Sequence, residues 1–128
     1  MKNIPLKFSE LSYKIIGCAM EVHRVLGPGL LESAYQRCLS HEFDIRGIVY
    51  KAEYPLPVSY KAIDLDRGYR LDFLVEDTII LELKSVEKLL PIHEAQLMTY
   101  MKLFSVKENL LINFNTLRLK SGLKRFVI

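Results

Sequence analysis

The chain has 128 residues, of which 50% are hydrophobic and 26% charged, with a formal charge of +3 at pH 7. That length fits one compact domain, 1–128, and the balance excludes a disordered or low-complexity protein. No apolar run approaches the ~20 residues of a membrane-spanning helix, Met1 to Phe8 carries no signal-peptide core, and Cys18 and Cys38 form no Cys-x-x-Cys pair. The expectation is a cytoplasmic protein with buried, reduced thiols and no membrane partner.

Apolar residues at Leu11, Ile15, Ile16, Ala19, Met20 and Val22 recur at helical spacing, predicting a helix over Ser9 to Leu26 with Ser9 as its N-cap. Gly27-Pro28-Gly29 ends it. A second helix is expected from about Leu30 to Ile45, burying Leu31, Ala34, Cys38 and Leu39 and stopping at Gly47. The period then changes. Val49 to Tyr54, Leu56 to Ile63, Tyr69 to Val75 and Thr78 to Lys84 are β-branched or aromatic runs, with hairpin turns at Asp64 to Gly68 and Glu76-Asp77. Pro55 and Pro57 cannot donate ladder hydrogen bonds, which places their run at an edge or a bulge. A third helix follows over Ile92 to Phe104, with Leu97, Met101 and Phe104 as its core stripe, and Leu110 to Phe114 and Leu123 to Ile128 close the chain as strands. Two helices, a meander, a helix and two strands make an α/β or α+β fold.

One strand breaks its own pattern. Side chains alternate faces along Thr78 to Lys84, so Ile80, Glu82 and Lys84 share a face that turns from apolar to charged. Burying such charges costs several kcal/mol unless they find partners, on the order of the penalties measured for buried ions. On the preceding strand Leu71, Phe73 and Val75 are expected to point one way and Arg70, Asp72 and Leu74 the other, and the tight turn brings Asp72 beside Glu82. Two close carboxylates raise each other's proton affinity unless a cation sits between them, and Mg²⁺ or Mn²⁺ prefers such oxygens. Lys84 could then orient or help deprotonate a metal-bound water and stabilise charge growing on a phosphate. The competing arrangement is an Asp72 to Lys84 salt bridge with Glu82 solvated at an exposed sheet end.

With these residues in place the sequence resembles the PD-(D/E)XK nuclease superfamily: Leu71-Asp72 stands where the Pro-Asp pair would be, and Glu82-Leu83-Lys84 matches the (D/E)XK element. Gly29-Leu30-Leu31-Glu32-Ser33-Ala34-Tyr35 fits the signature of the GxxExxY protein family, and Gln96-Leu97-Met98-Thr99-Tyr100 resembles the Q-x-x-x-Y element of exonuclease-like branches. The resemblance implies a restriction-endonuclease-like core, a mixed β-sheet flanked by helices, that hydrolyses nucleic acid, DNA rather than RNA. It implies Asp72, Glu82 and Glu32 as metal ligands and Lys84 and Gln96 beside them as catalytic groups. Tyr100, Tyr35 and His93 would position substrate. Leu71 in place of proline leaves the carboxylates intact. A catalytically silent module with the same fold, and a homodimer whose two copies form the substrate channel, are the alternatives.

The remaining candidates read as structural. His93 could face the site or cap the helix after Pro91, His23 is placed to bond the last carbonyls of the first helix, and His41 belongs to the surface. Basic residues are spread thinly, so any phosphate-binding groove must be assembled by the fold. Their densest group, Arg118 to Arg125, is expected as a solvated face of edge strands.

Overall fold

The computed structural model describes residues 2–3, 9–65 and 68–127. The expected turn at Asp66 and Arg67, the terminal Ile128 and most of Met1 to Phe8 lie outside them.

Helix α1 (Glu10–Leu26) starts where Ser9, in extended conformation, accepts the Ser12 N–H on its hydroxyl at 3.1 Å. It buries Ile15, Ile16, Cys18, Ala19 and Val22, whereas Met20, expected in that stripe, turns half out to solvent. Gly27, at φ 71°, closes the helix by donating to the His23 carbonyl at 2.8 Å. Helix α2 (Glu32–Arg46) buries Tyr35, Leu39 and Phe43, a stripe at intervals of four, and ends at Gly47 in the left-handed region. Leu31 is not in its core: as the extended N-cap residue it is 76% exposed, and Ala34 and Cys38 are only partly covered.

The strands are β1 (Lys2–Asn3), β2 (Tyr50–Pro55), β3 (Val58–Tyr60), β4 (Ile63–Leu65), β5 (Arg70–Val75), β6 (Ile79–Lys84), β7 (Glu108–Asn113) and β8 (Leu123–Val127). Six form one mixed sheet in the order β1-β8-β7-β6-β5-β2. Among the described strands only β6 and β7 run parallel, joined by helix α3 (Pro91–Phe104) as the crossover, and the fold is α+β. β2 lies at the edge, as its proline requires. The expected single strand over Leu56 to Ile63 is instead the small hairpin β3 and β4, turning at Lys61 and Ala62, both at positive φ. Asp64 and Leu65 therefore belong to a strand rather than to a turn. Glu76 and Asp77, at φ 48° and 54°, form the tight turn between β5 and β6.

Two apolar layers enclose the sheet. Helices α1 and α2 pack Ile15, Ala19, Tyr35, Leu39 and Phe43 on Phe73, Val75, Ile79, Leu81 and Leu83. On the opposite face α3 packs Leu97, Tyr100 and Met101 on Leu71, Leu74, Ile80 and Leu111. Ile79, Leu81 and Leu83 thus share one face and Ile80 and Glu82 the other, but Leu71 departs from expectation by lying on the face opposite Phe73. No helix among the described residues is long and apolar enough to cross a membrane.

Candidate active site

The displacement of Leu71 has a local cause. β5 pairs with β6 only over Val75↔Ile79, Leu74↔Ile80 and Phe73↔Leu81, whereas β6 stays with β7 out to Lys84↔Asn113 and β5 stays with β2 out to Arg70↔Pro55. Beyond Phe73 the sheet forks. Asp72 and Glu82 fill the fork: Glu82 Oε2 accepts the Asp72 N–H at 2.6 Å, and Asp72 Oδ2 accepts the Leu83 N–H at 2.8 Å. Two amides that have lost their ladder partners are satisfied by carboxylates, as buried amides must be. The second oxygens, Oδ1 of Asp72 and Oε1 of Glu82, accept no hydrogen bond among the described residues. On the outer side Glu53 falls opposite Asp72 in the register without pairing to it, and its backbone takes a positive φ of 49°.

The fork is electrostatically loaded. Glu82 is 5% exposed and Asp72 is half-buried. Burial raises both carboxyls above their ordinary range, Asp72 to about 6 and Glu82 to about 8. The neighbouring Asp72 charge adds to the rise of Glu82, and Glu32 adds to both. The backbone hydrogen bonds and the Lys84 ammonium act in the opposite sense without cancelling it. No ion pair involving Asp72, Glu82 or Lys84 forms among the described residues. Neither part of the competing arrangement is present, since Lys84 does not close on Asp72 and Glu82 is not solvated.

Helix α3 supplies the next group. Gln96 Nε2 donates to the Tyr100 hydroxyl at 3.2 Å, and Tyr100, 9% exposed, is raised by burial and then by the charges of Glu82 and Asp72, so its hydroxyl lies within their electrostatic reach. Glu32 comes from the first turn of α2, and its loop is tied to the end of β6 by the Ser85 hydroxyl, which donates to the Leu30 carbonyl at 2.5 Å. Asp72, Glu82, Lys84, Glu32, Gln96 and Tyr100 therefore gather at one end of the sheet.

The model of the PD-(D/E)XK nuclease superfamily matches residues 9–126. The chain belongs to the PD-(D/E)XK nuclease superfamily. No match to a curated protein or to a solved structure was found. Membership carries a nuclease-type function in general terms, and superfamily members generally use divalent metals. A buried and a half-buried carboxylate, each with an unpartnered oxygen and no cation at ion-pair distance among the described residues, fit a hard divalent ion. Among the described residues no group of three or more His, Cys, Asp or Glu side chains is arranged to hold a metal, so Glu32, though at the same end of the sheet, does not close with the other two into a three-acid cluster.

Some expected members of this nuclease site lie elsewhere. Tyr35 is fully buried and stacked on Phe114 at 4.5 Å, and its hydroxyl accepts the Leu30 N–H at 3.1 Å and donates to the Gly27 carbonyl at 2.6 Å. It positions the loop before Glu32 and leaves no hydroxyl for substrate. His93 Nδ1 accepts the Leu90 N–H at 2.9 Å and so caps α3. His23 bonds the Thr116 carbonyl at 2.8 Å rather than its own helix end. Lys124 and Arg125 are not a solvated face: β8 is flanked by β1, and they close on Glu94 and Glu108 at 2.6 Å. Residues that sequence reasoning passed over are Ser85, Glu53 and Asn113, whose buried amide clamps the Val86 N–H and carbonyl after Lys84. Only the adjacency of Ser85 and Val86 to the Glu-x-Lys element could have pointed to them.

Proposed function

We propose that the chain is a Mg²⁺- or Mn²⁺-dependent nuclease that hydrolyses phosphodiester bonds, with DNA preferred to RNA, and that residues 1–128 act as one nuclease-like domain in the cytoplasm. The observation that carries the proposal is the forked strand pair, which holds a buried and a half-buried carboxylate with raised proton affinity and no protein cation paired to them among the described residues. Such a placement is costly without a metal partner.

In this reading Asp72 and Glu82 hold the ion and Glu32 contributes through its charge or a bridging water. The ion, when bound, supplies Lewis acidity toward a phosphate oxygen and water. Lys84, unpaired among the described residues and one step along the face from Glu82, stabilises negative charge developing on the phosphate and orients the attacking water. Gln96 and Tyr100, hydrogen-bonded to each other, hold the scissile phosphate or the water in line. Tyr35 and Ser85 act one layer further out by fixing the loop that begins α2. The resemblance to the GxxExxY family, carried by Gly29, Glu32 and Tyr35, supports the role of Glu32, whereas the outer role of Tyr35 rests on its hydrogen bonds to Gly27 and Leu30.

The test is incubation of the purified protein with single- and double-stranded DNA and with RNA, in Mn²⁺ or in EDTA, beside Lys84→Ala. Cleavage indifferent to both EDTA and the substitution refutes the proposal. The failure of three acids to converge among the described residues favours a second reading, a nuclease-fold module that binds nucleic acid or protein without cutting. Calorimetry separates the two, because only the nuclease reading requires Mn²⁺ binding that Asp72→Ala abolishes. The same preparation, sized in solution, reports whether two copies assemble.

A further inference from the structure

A polar cleft of about 320 Å³ opens beside the fork, between α2 and the edge strand β2. Ser33, Gln36, Arg37 and Ser40 line its helix wall and Ala52 and Glu53 its strand wall. Ser33 immediately follows Glu32, and Glu53 falls opposite Asp72, so the cleft starts where the acidic centre ends. The four helix residues are spaced 3, 1 and 3 apart and form one stripe, which at ~1.5 Å per residue runs for roughly 10 Å. That matches the axial rise of about three nucleotides of one B-form strand, at ~3.4 Å each.

The state of Arg37 gives this stripe its chemistry. Arg24, Arg46 and Arg125 each close on a carboxylate, at 2.8, 2.8 and 2.6 Å. Arg37 makes no ion pair or hydrogen bond among the described residues and lines the cleft with its guanidinium available. A planar fork of donors beside the Ser33 hydroxyl and the Gln36 amide matches a phosphodiester, which accepts from several donors at once, while the Ser40 hydroxyl is engaged with Tyr50. Arg37 also borders a larger groove of about 580 Å³ between α1 and α2, where Glu21 and Glu42 are paired to Arg24 and Arg46 and Asp44 adds a negative charge. Glu53 does the same at the end of the cleft nearest Asp72. Arg37 supplies the positive charge of the cleft lining, facing Glu53 on the strand wall.

We propose that the α2–β2 cleft is a subsite for the nucleic-acid backbone, in which Arg37, flanked by Ser33 and Gln36, binds a phosphate beside the scissile one. The proposal rests on the nuclease reading for its register with Asp72 and Glu82, but the contact itself is a binding property. It recognises the phosphodiester backbone shared by DNA and RNA.

The experiment is fluorescence anisotropy with 12-nucleotide single-stranded DNA, the matching RNA and duplex DNA, in the Lys84→Ala background with Mg²⁺ and over a range of salt. Arg37→Ala is expected to weaken binding about five- to tenfold and to lower the slope of log K against log salt by about 1. Arg37→Lys should recover part of the slope, and Lys14→Ala, an equal charge change at an exposed position of α1, should stay within about twofold. Equal effects of Arg37→Ala and Lys14→Ala, or no binding of any probe up to about 100 µM, overturn the subsite. Wild-type cleavage in Mn²⁺ is scored separately. A protein that cuts through Lys84 but binds without regard to Arg37 loses the subsite and keeps the nuclease reading. One that binds through Arg37 and never cuts keeps the subsite and loses that reading.

Discussion

Glu82 accepts the backbone N–H of Asp72 across a strand pair that has already parted, while Asp72 accepts the N–H of Leu83 in return. Each carboxylate thus satisfies the other strand's amide with one oxygen and offers the second outward. The ladder that would have run between β5 and β6 is replaced by two acids, and a structural break becomes a place where charge can be concentrated. Its consequences are measurable in both stability and catalysis.

The first consequence is a stability that falls as pH rises. Asp72 and Glu82 titrate near 3.8 and 4.5 when exposed, and in the folded chain burial lifts them to about 6 and about 8. Between those limits the folded state binds more protons than the unfolded state, so the slope of unfolding free energy with pH is negative. The favourable contribution is complete below about pH 4 and has gone above about pH 8. A loss on the order of a few kcal/mol, or roughly 5 to 15 °C in Tm, is expected in EDTA between pH 5 and 8.5. Excess Mn²⁺ should flatten the curve at the alkaline end, because an ion bound to the ionised pair stabilises the folded state. Thermal unfolding across this range measures both effects, and a Tm that climbs with pH in EDTA would contradict the electrostatics of the fork.

Neutral replacements should separate stability from activity. Asn at 72 and Gln at 82 keep an oxygen for the Leu83 and Asp72 amides but remove the buried charge. At pH 8 in EDTA, Asp72→Asn and Glu82→Gln should each raise stability by about 1 to 3 kcal/mol and abolish Mn²⁺-dependent cleavage. Lys84→Ala should behave differently. Its side chain makes no pair among the described residues, so stability at pH 5 should change by about 0.5 kcal/mol or less, while kcat should fall roughly 10²- to 10³-fold. Losing its charge also removes an influence that lowers both carboxyls, so the fall of Tm with pH should start at the same pH, set by the unfolded chain, but continue further to the alkaline side.

How far the sequence foretold this site depends on the kind of signal each residue carries. Helices α1 and α2 were legible because apolar period and glycine stops agree locally, α3 because its apolar period follows Pro91, and Glu82 because it interrupts an apolar strand. Asp72 followed from the hairpin between the two strands. The fork itself was hidden, since Leu71 and Phe73 both look like core residues and only the competing pairings of β5 with β2 and β6 with β7 decide that they face opposite layers. The turn at Lys61 and Ala62 was hidden for another reason: neither is a residue that favours positive φ, so no local mark announces it. Tyr35 matched a motif, but the motif could not say that its hydroxyl closes on Gly27 and Leu30 instead of opening to substrate.

A test away from the acids concerns Asn109, which is fully buried in β7 with neither its amide nitrogen nor its oxygen hydrogen-bonded. It pairs in register with Ile80 and Phe126, both in the apolar layer beneath α3. An unsatisfied buried amide costs about 1 to 3 kcal/mol, so Asn109→Leu, similar in size, should stabilise the protein by on the order of 1 kcal/mol or more and leave cleavage unchanged. Chemical denaturation measures it. Destabilisation on substitution would mean that the amide is satisfied in solution.

The last prediction concerns the loop that delivers Glu32. The Tyr35 hydroxyl bridges Gly27 and Leu30, and the Ser85 hydroxyl holds the Leu30 carbonyl to the end of the Glu-x-Lys strand. Tyr35→Phe keeps the ring stacked on Phe114 but leaves a carbonyl and an amide without their partner, which should cost about 1 to 2 kcal/mol. If the bridge matters because it sets the start of α2, activity should fall as well, through kcat more than KM. That loss should vanish when Glu32 is already Gln, because the loop then has no carboxylate to deliver. A cycle of Tyr35→Phe, Glu32→Gln and the double variant, read by both unfolding and cleavage rate, isolates that coupling from the plain loss of stability. Additive losses in cleavage would assign Tyr35 to stability alone.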